Sequence, residues 1–295
     1  MINKDVLRDI SEFDEKKEGL DLQEFVGNLD LLEKAHSKLH SLLITTRMTK
    51  LTTDFGQRDS DIYVVSYPRS GTTLMQMILY QMTTDGDMGF KHIYDVSPWC
   101  RFSAFFNRPM SSVGERRIIK THDSYESFKH VKKGKFIFLI RDCLDVIPSI
   151  YQQTLDYVDP SANFGPLSER NMKRWFDYNI TWTENKSELE ILYLNYEDLV
   201  NQKEKVISIL SKFINIEINE LTLERVLQRT SFGFMKKHES KFGEQPDHWK
   251  VYNNFIRNGR TGEGKLKFTD EQLKHYYQLS KDYRIQGTHL QRYFE

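Results

Sequence analysis

Lys120-Thr121-His122 sets an ammonium and an imidazole two positions apart. On an extended chain, alternation turns both side chains to the same face. A histidine alone is most simply a solvated surface residue, and a lysine on the same face turns the reading toward a charged site. A second candidate is Tyr67-Pro68-Arg69-Ser70-Gly71-Thr72-Thr73, a turn of chain breakers, hydroxyls and one guanidinium. Gly71 lets the backbone approach a ligand closely, Thr72 and Thr73 add hydroxyl donors, and the planar fork of Arg69 suits phosphate or sulfate. Arg141 has Ser149 eight residues on; the two could converge on one anion, or Arg141 could pair with Asp142 or Asp145. The stretch from Phe255 to Lys265 carries three glycines and three cations. It has the makings of a phosphate clamp or of an exposed turn.

The elements around these residues can be read from the apolar pattern. Ile62 to Val65 is a short β-branched run, suited to a buried strand, and Leu74, Met75, Ile78 and Leu79 recur at helical spacing. The turn at Arg69 therefore joins a strand to a helix. That arrangement presents backbone N–H groups and the positive end of the helix to an anion. It is not a Walker A box, which would end in Gly-Lys-Ser or Gly-Lys-Thr: here Gly71 is followed by Thr72, and no such triplet occurs in the chain.

Residues Glu115 to His122 read as a short strand that ends in the lysine and histidine. Lys135 to Arg141 is the strongest strand, a continuous apolar run implying burial on both faces, and a helix follows it with Pro148 near its first turn. Glu190 to Asp198 is another strand. Helices are expected over Glu169 to Lys186, Lys203 to Phe213, Leu221 to Leu227 and Thr269 to about Tyr283, and Asp156 to Pro166 reads as a turn-rich loop. Between Phe90 and Met110, Pro98 and Pro109 deny a continuous helix; this aromatic stretch either lines a pocket or packs a core. Strands alternating with helices, each strand tip followed by polar residues, predict a single α/β domain with a central parallel sheet flanked by helices. Residues 1–59 read as an N-terminal helical extension packed on that core, and residues 60–295 as the domain itself.

At 295 residues, 39% hydrophobic and 13% aromatic, the chain can bury a sizeable core. Its 42 basic and 42 acidic residues balance, which argues against a dedicated nucleic-acid binder and makes any anion site local. Cys100 and Cys143 form neither a disulfide framework nor a metal motif, and no His/Cys/Asp cluster has metal spacing. No run approaches the length of a membrane span and the N-terminus lacks an apolar signal core, so the expectation is a cytoplasmic protein with no membrane partner.

Together these segments resemble the cytosolic-type sulfotransferases that use 3′-phosphoadenosine 5′-phosphosulfate, in family order from about Tyr63 to Phe268. Tyr67 to Thr73 resembles their 5′-phosphosulfate loop and Lys120-Thr121-His122 their catalytic triplet. Arg141 to Ser149 is similar to the strand-helix unit that holds the 3′-phosphate. Tyr196, Thr230 and Phe232 match adenosine-contacting positions, and Arg257-Asn258-Gly259 falls on the loop that closes over the 3′-phosphate. The resemblance implies a P-loop-kinase-like sulfotransferase fold and in-line sulfuryl transfer to a hydroxyl or amine of a small molecule, without a metal. It leaves adenosine 3′,5′-bisphosphate as product. It implies His122 as general base, Lys120 and Arg69 as charge stabilisers, and the N–H groups of Ser70, Gly71, Thr72 and Thr73 as the 5′-phosphate cradle. Arg141, Ser149 and Arg257 would hold the 3′-phosphate, and Phe232 would stack on adenine.

Departures from the family mark a divergent member. Arg69 replaces a lysine, keeping the charge and changing its geometry. Leu74 replaces the tryptophan that lies against adenine. Gly262-Glu263-Gly264-Lys265 replaces Gly-Asp-Trp-Lys, and the dimer motif beyond it is not preserved, leaving the oligomeric state open. Two other readings stand beside this one: an ATP-dependent phosphotransferase of the nucleotide-kinase type, and a non-catalytic nucleotide-binding protein. The aromatic stretch favours a flat or apolar acceptor; Asp123, Asp156 and Asp159 favour a cationic one if they face the pocket.

Overall fold

The structure, a computed structural model, describes residues 8, 27–110, 114–184, 189–243, 254–257 and 259–295. The chain divides into two compact units, Met1–Thr46 and Arg47–Glu295. The boundary falls inside the long helix α1 (Leu29–Asp54). Most of the expected extension before it, residues 1–7 and 9–26, lies outside the described residues.

The second unit runs β1 (Ile62–Ser66), α2 (Thr72–Thr83), α3 (Cys100–Phe105), β2 (Ile118–Thr121), α4 (Tyr125–Phe128), β3 (Lys135–Ile140), α5 (Cys143–Tyr157) and α6 (Phe164–Thr183). It continues with β4 (Glu190–Asn195), α7 (Tyr196–Asn201), α8 (Lys203–Phe213), α9 (Glu220–Arg229), α10 (Phe232–Lys237) and α11 (Asp270–Asp282). The strands form one parallel sheet, as the apolar runs lead one to expect, and the structure sets their order as β2-β1-β3-β4.

Alternation sorts the strand residues onto two cores. Ile62, Val64, Ile137 and Leu139 belong to a cluster with Met75, Ile78 and Leu79 of α2 and Val206, Ile207 and Leu210 of α8. Phe136 and Phe138 turn the other way and meet Trp182 of α6 at ring separations of 6.0 and 5.7 Å. Both faces are covered, which is why β1 and β3 are apolar nearly throughout. The stripe of Trp175, Tyr178 and Trp182 on α6 is core, and all three are buried.

Three local expectations change. Pro148 is the sixth residue of α5, not a first-turn residue, because the helix starts at Cys143 with Asp142 as its cap. The segment after it is shorter than expected: α5 extends to Tyr157, and α6 begins at Phe164 under an Asn163 cap. Pro166 therefore lies in the first turn of α6, where a missing N–H has no cost. The strand expected over Glu190 to Asp198 stops at Asn195, and Tyr196 opens α7.

Candidate active site

Because the strands are parallel and in register, with Val65 level with Thr121 and Ser66 with Leu139, their carboxyl ends share one edge. That edge is where open α/β sheets carry ligands. The turn Tyr67–Thr73 leaves β1 there, His122 leaves β2, Arg141 leaves β3 and Tyr196 leaves β4. They open onto a cavity of about 660 Å³.

The turn after β1 holds two residues in the left-handed region, Arg69 at φ 66° and Gly71 at φ 90°. For arginine this is an uncommon backbone state that the surroundings must impose. At Gly71 there is a second constraint: a Cβ would stand 2.4 Å from the Tyr196 ring. Gly71 O accepts from Met75 N at 3.1 Å, starting α2, and Thr72 Oγ1 lies 2.5 Å from Ser66 Oγ. The Arg69 side chain donates from Nε to Ser149 Oγ and from Nη2 to Phe255 O, each at 3.0 Å. Burial, then the charges of Arg257 and Arg141, draw its pKa down to about 10, so it keeps its charge at neutral pH.

His122 Nδ1 lies 2.7 Å from the Ser66 carbonyl oxygen. A carbonyl only accepts, so Nδ1 carries the proton and Nε2 carries the lone pair. Burial first and Lys120 second pull the imidazole down to about 3, against the opposing effect of the Ser66 hydrogen bond. The ring is neutral at physiological pH. Lys120 Nζ donates to Tyr94 Oη at 2.9 Å and stands 4.3 Å from the Trp99 ring centre. Trp99 meets the His122 ring edge-on at 5.3 Å. The aromatic stretch reaches this edge because Trp99 bridges Lys120 and Pro98 O accepts from Lys120 N at 2.8 Å.

At the opposite end Arg141 is buried, donating to Arg69 O at 2.9 Å and Arg260 O at 3.3 Å, with its guanidinium 4.4 Å from the Tyr196 ring centre. Arg257 has its pKa lowered by burial first and by Arg141 next. Like charges this close are held together at a cost that an anionic ligand removes. Among the described residues, Ser70 Oγ, Arg141 Nε and Arg257 Nε are buried without a hydrogen-bond partner. Three orphaned groups in the same neighbourhood fit a site built for phosphate oxygens.

The sequence profile of the Sulfotransferase domain matches residues 59–289. The chain belongs to the sulfotransferase family. Human sulfotransferase 1E1 is 29% identical over 288 residues, covering 87% of this chain and 96% of the relative. Rat sulfotransferase 2B1 is 28% identical over 250 residues, covering 76% and 71%. Among solved structures, a mouse sulfotransferase complexed with PAP is similar at a TM-score of 0.62 with 22% identity, covering 80% of this chain and 88% of that one. Retinol dehydratase in a complex with retinol and PAP is similar at 0.60 with 21% identity, covering 83% and 87%. These two likenesses concern the fold.

In this sulfotransferase, Arg69, Gly71, Thr72, Thr73 and Leu74 line the cavity together with Lys120 and His122. So do Arg141, Ser149, Tyr196, Thr230, Phe232, Arg257 and Gly259. Ser70 is buried beneath the turn, and Asn258 lies outside the described residues. Phe232 is about half exposed (47%), with Gly259 packed so closely that a Cβ there would stand 2.7 Å from the ring. Leu74 lines the cavity where the family's tryptophan is absent, and Val200 and Met235 supply further apolar wall.

The condition for a cationic acceptor is not met. Asp123 is engaged by Arg101 and Thr121, Asp156 by Gln152 and Asn254, and Asp159 caps an exposed turn with Ser161. Among the described lining residues there is no Asp or Glu, whereas Arg69, Arg101, Lys120, Arg141, Lys203 and Arg257 are all cationic. Of these, Arg101 and Lys203 escaped the sequence reading, as did Gln153. Lys203 Nζ donates to Thr230 O at 2.6 Å, tying α8 to the break before α10. Its only sequence signal is a basic residue at a helix start, where the dipole disfavours it.

Proposed function

We propose that the protein transfers a sulfuryl group from 3′-phosphoadenosine 5′-phosphosulfate to a hydroxyl or amine of a small-molecule acceptor, with His122 as general base. The observation that carries this is the tautomer of His122, fixed by Ser66 so that the unprotonated lone pair of Nε2 belongs to the same cavity as the phosphate-type turn and the clustered arginines. The two PAP-bound structural relatives support the donor, since PAP is what such a donor leaves behind.

The donor supplies the sulfuryl group. Amides of the Ser70–Thr73 turn, at the start of α2, hold its 5′-phosphate, and Arg141, Ser149 and Arg257 hold the 3′-phosphate. Phe232 offers its exposed ring face to adenine. His122 Nε2 takes the acceptor's proton as the acceptor oxygen or nitrogen bonds to sulfur. Lys120 and Arg69 neutralise the negative charge that gathers on the bridging oxygen as the sulfur–oxygen bond to the 5′-phosphate breaks. An arginine at position 69 stabilises that charge without readily giving up a proton, so the leaving phosphate departs as an anion.

The test is transfer from labelled donor in wild type and in His122→Ala. The variant should lose about a hundredfold or more in turnover, the usual worth of a general base, while adenosine 3′,5′-bisphosphate binds as before. Wild-type turnover in the variant removes His122 from the role. Failure of the wild type to bind the bisphosphate removes the donor assignment.

A further inference from the structure

The acceptor end of the cavity carries a cation that donor chemistry does not use. Arg69, Arg141 and Arg257 gather at the phosphate end, whereas Arg101 stands on the helix α3 that follows Trp99. Its Nε donates to Asp123 Oδ1 at 2.6 Å, and Nη2 forms an ion pair with the same oxygen. Asp123 is the residue after His122, and it is buried. Its other carboxylate oxygen accepts from Thr121 Oγ1 at 2.9 Å, while its backbone carbonyl accepts from Trp182 Nε1 at 3.1 Å. The carboxylate is thus held by the arginine, and the Arg101 side chain, which lines the cavity, remains 37% exposed. A guanidinium has five N–H donors in one plane. Asp123 engages Nε and one Nη, which leaves a donor edge preset for a second oxyanion.

The same end is walled by Tyr94 and Trp99, backed by Phe102 with ring separations of 5.2 and 6.2 Å, and no Asp or Glu lines it among the described residues. We infer that the acceptor carries a carboxylate or a similar oxyanion in addition to the group that is sulfated, with Arg101 as the residue that reads it. This rests on the sulfuryl-transfer reading above and names its acceptor class. A flat or apolar body lies against the wall that Tyr94 and Trp99 form together, with their ring centres 5.9 Å apart; its hydroxyl faces His122 Nε2, and its acid group meets the Arg101 edge. Asp123 is a positioning residue: it holds the fork in place and prevents it from swinging toward the donor phosphates.

The test uses protein saturated with adenosine 3′,5′-bisphosphate, titrated with 3-(4-hydroxyphenyl)propionate, its methyl ester and tyramine. Trp99 supplies a fluorescence signal and calorimetry a second one. The acid should bind at least about tenfold tighter than the ester, the ordinary worth of one charge-assisted contact. Tyramine should bind weakest. Arg101→Gln should remove the preference for the acid while leaving the ester unchanged, and Arg101→Lys should restore part of it. In turnover with labelled donor the loss should fall on KM for the acid and spare kcat. Equal binding of acid and ester, a preference for the amine, or a preference that survives in Arg101→Gln overturns the proposal. Failure to bind the bisphosphate at all would instead strike at the donor assignment.

Discussion

His122 is buried, tied to a carbonyl and flanked by two cations, and these facts have a measurable consequence. Its folded pKa lies near 3, below the ordinary histidine value. Between that value and roughly 6.5, the unfolded chain binds a proton that the folded chain refuses. Its contribution to stability is therefore complete above that range and is lost as pH falls through it. In the unliganded protein the ring nitrogens should report a neutral Nδ1–H tautomer from pH 8 down to 5 by nitrogen NMR; a titration midpoint near 6.5 would contradict the geometry. Arg141 belongs to the other end. Arg141→Ala should weaken adenosine 3′,5′-bisphosphate by about ten- to a hundredfold and adenosine 5′-phosphate far less, as read by calorimetry. Equal losses for the two nucleotides would take Arg141 away from the 3′-phosphate.

Helix α5 shows how an element carries a site. Pro148 lacks the N–H that would bond the carbonyl of Leu144 four residues earlier. Gly264 fits against that carbonyl so closely that a Cβ would stand 1.9 Å from it. One residue on, the Asp145 carboxylate accepts from Gly262 N at 2.7 Å and Gly264 N at 2.9 Å, and lies 3.9 Å from Arg141. The glycine-rich loop is thereby latched to the helix that bears Ser149. The alternatives left open for Arg141 resolve together: it lies beside Asp145 and still contributes to the cavity. Asp145→Asn should lower bisphosphate affinity by about tenfold, because an amide replaces one of two charge-assisted acceptors. Gly264→Ala should act in the same direction through the clash. Unchanged affinity in both variants would show that the latch does not serve binding.

In the larger unit, the sheet is anchored below by a buried pair. Arg117 donates to Asp61 at 2.7 Å and to Phe55 O at 2.8 Å, and both charged side chains are nearly inaccessible. Arg117→Met leaves Asp61 without its partner and should cost about 3–5 kcal/mol in denaturant unfolding; a loss below 1 kcal/mol would mean that water replaces the arginine. The proposed donor site predicts a stability change of its own. A ligand at a hundred times its Kd stabilises the fold by about 2.7 kcal/mol. Adenosine 3′,5′-bisphosphate should accordingly raise the unfolding temperature by several degrees, and more than adenosine 5′-phosphate does.

The strands, the anion-type turn, the lysine–histidine pair and the parallel sheet were legible in short stretches of chain. Each depends on local causes: alternation, β-branching, a glycine that permits a left-handed turn, and apolar runs that must be covered on both faces. The boundaries at Tyr157, Phe164 and Tyr196 were less legible, since caps and packing extend or stop helices beyond what periodicity records. No local pattern could assign the partners of the cations. Arg69 meets Ser149 and Phe255, Arg101 meets Asp123, Lys120 meets Tyr94, and Asp145 meets two glycines of a distant loop. A charge in a sequence has a sign but no neighbour; register and loop closure supply the neighbour, and with it the choice between an arginine neutralised by protein and one left for a ligand.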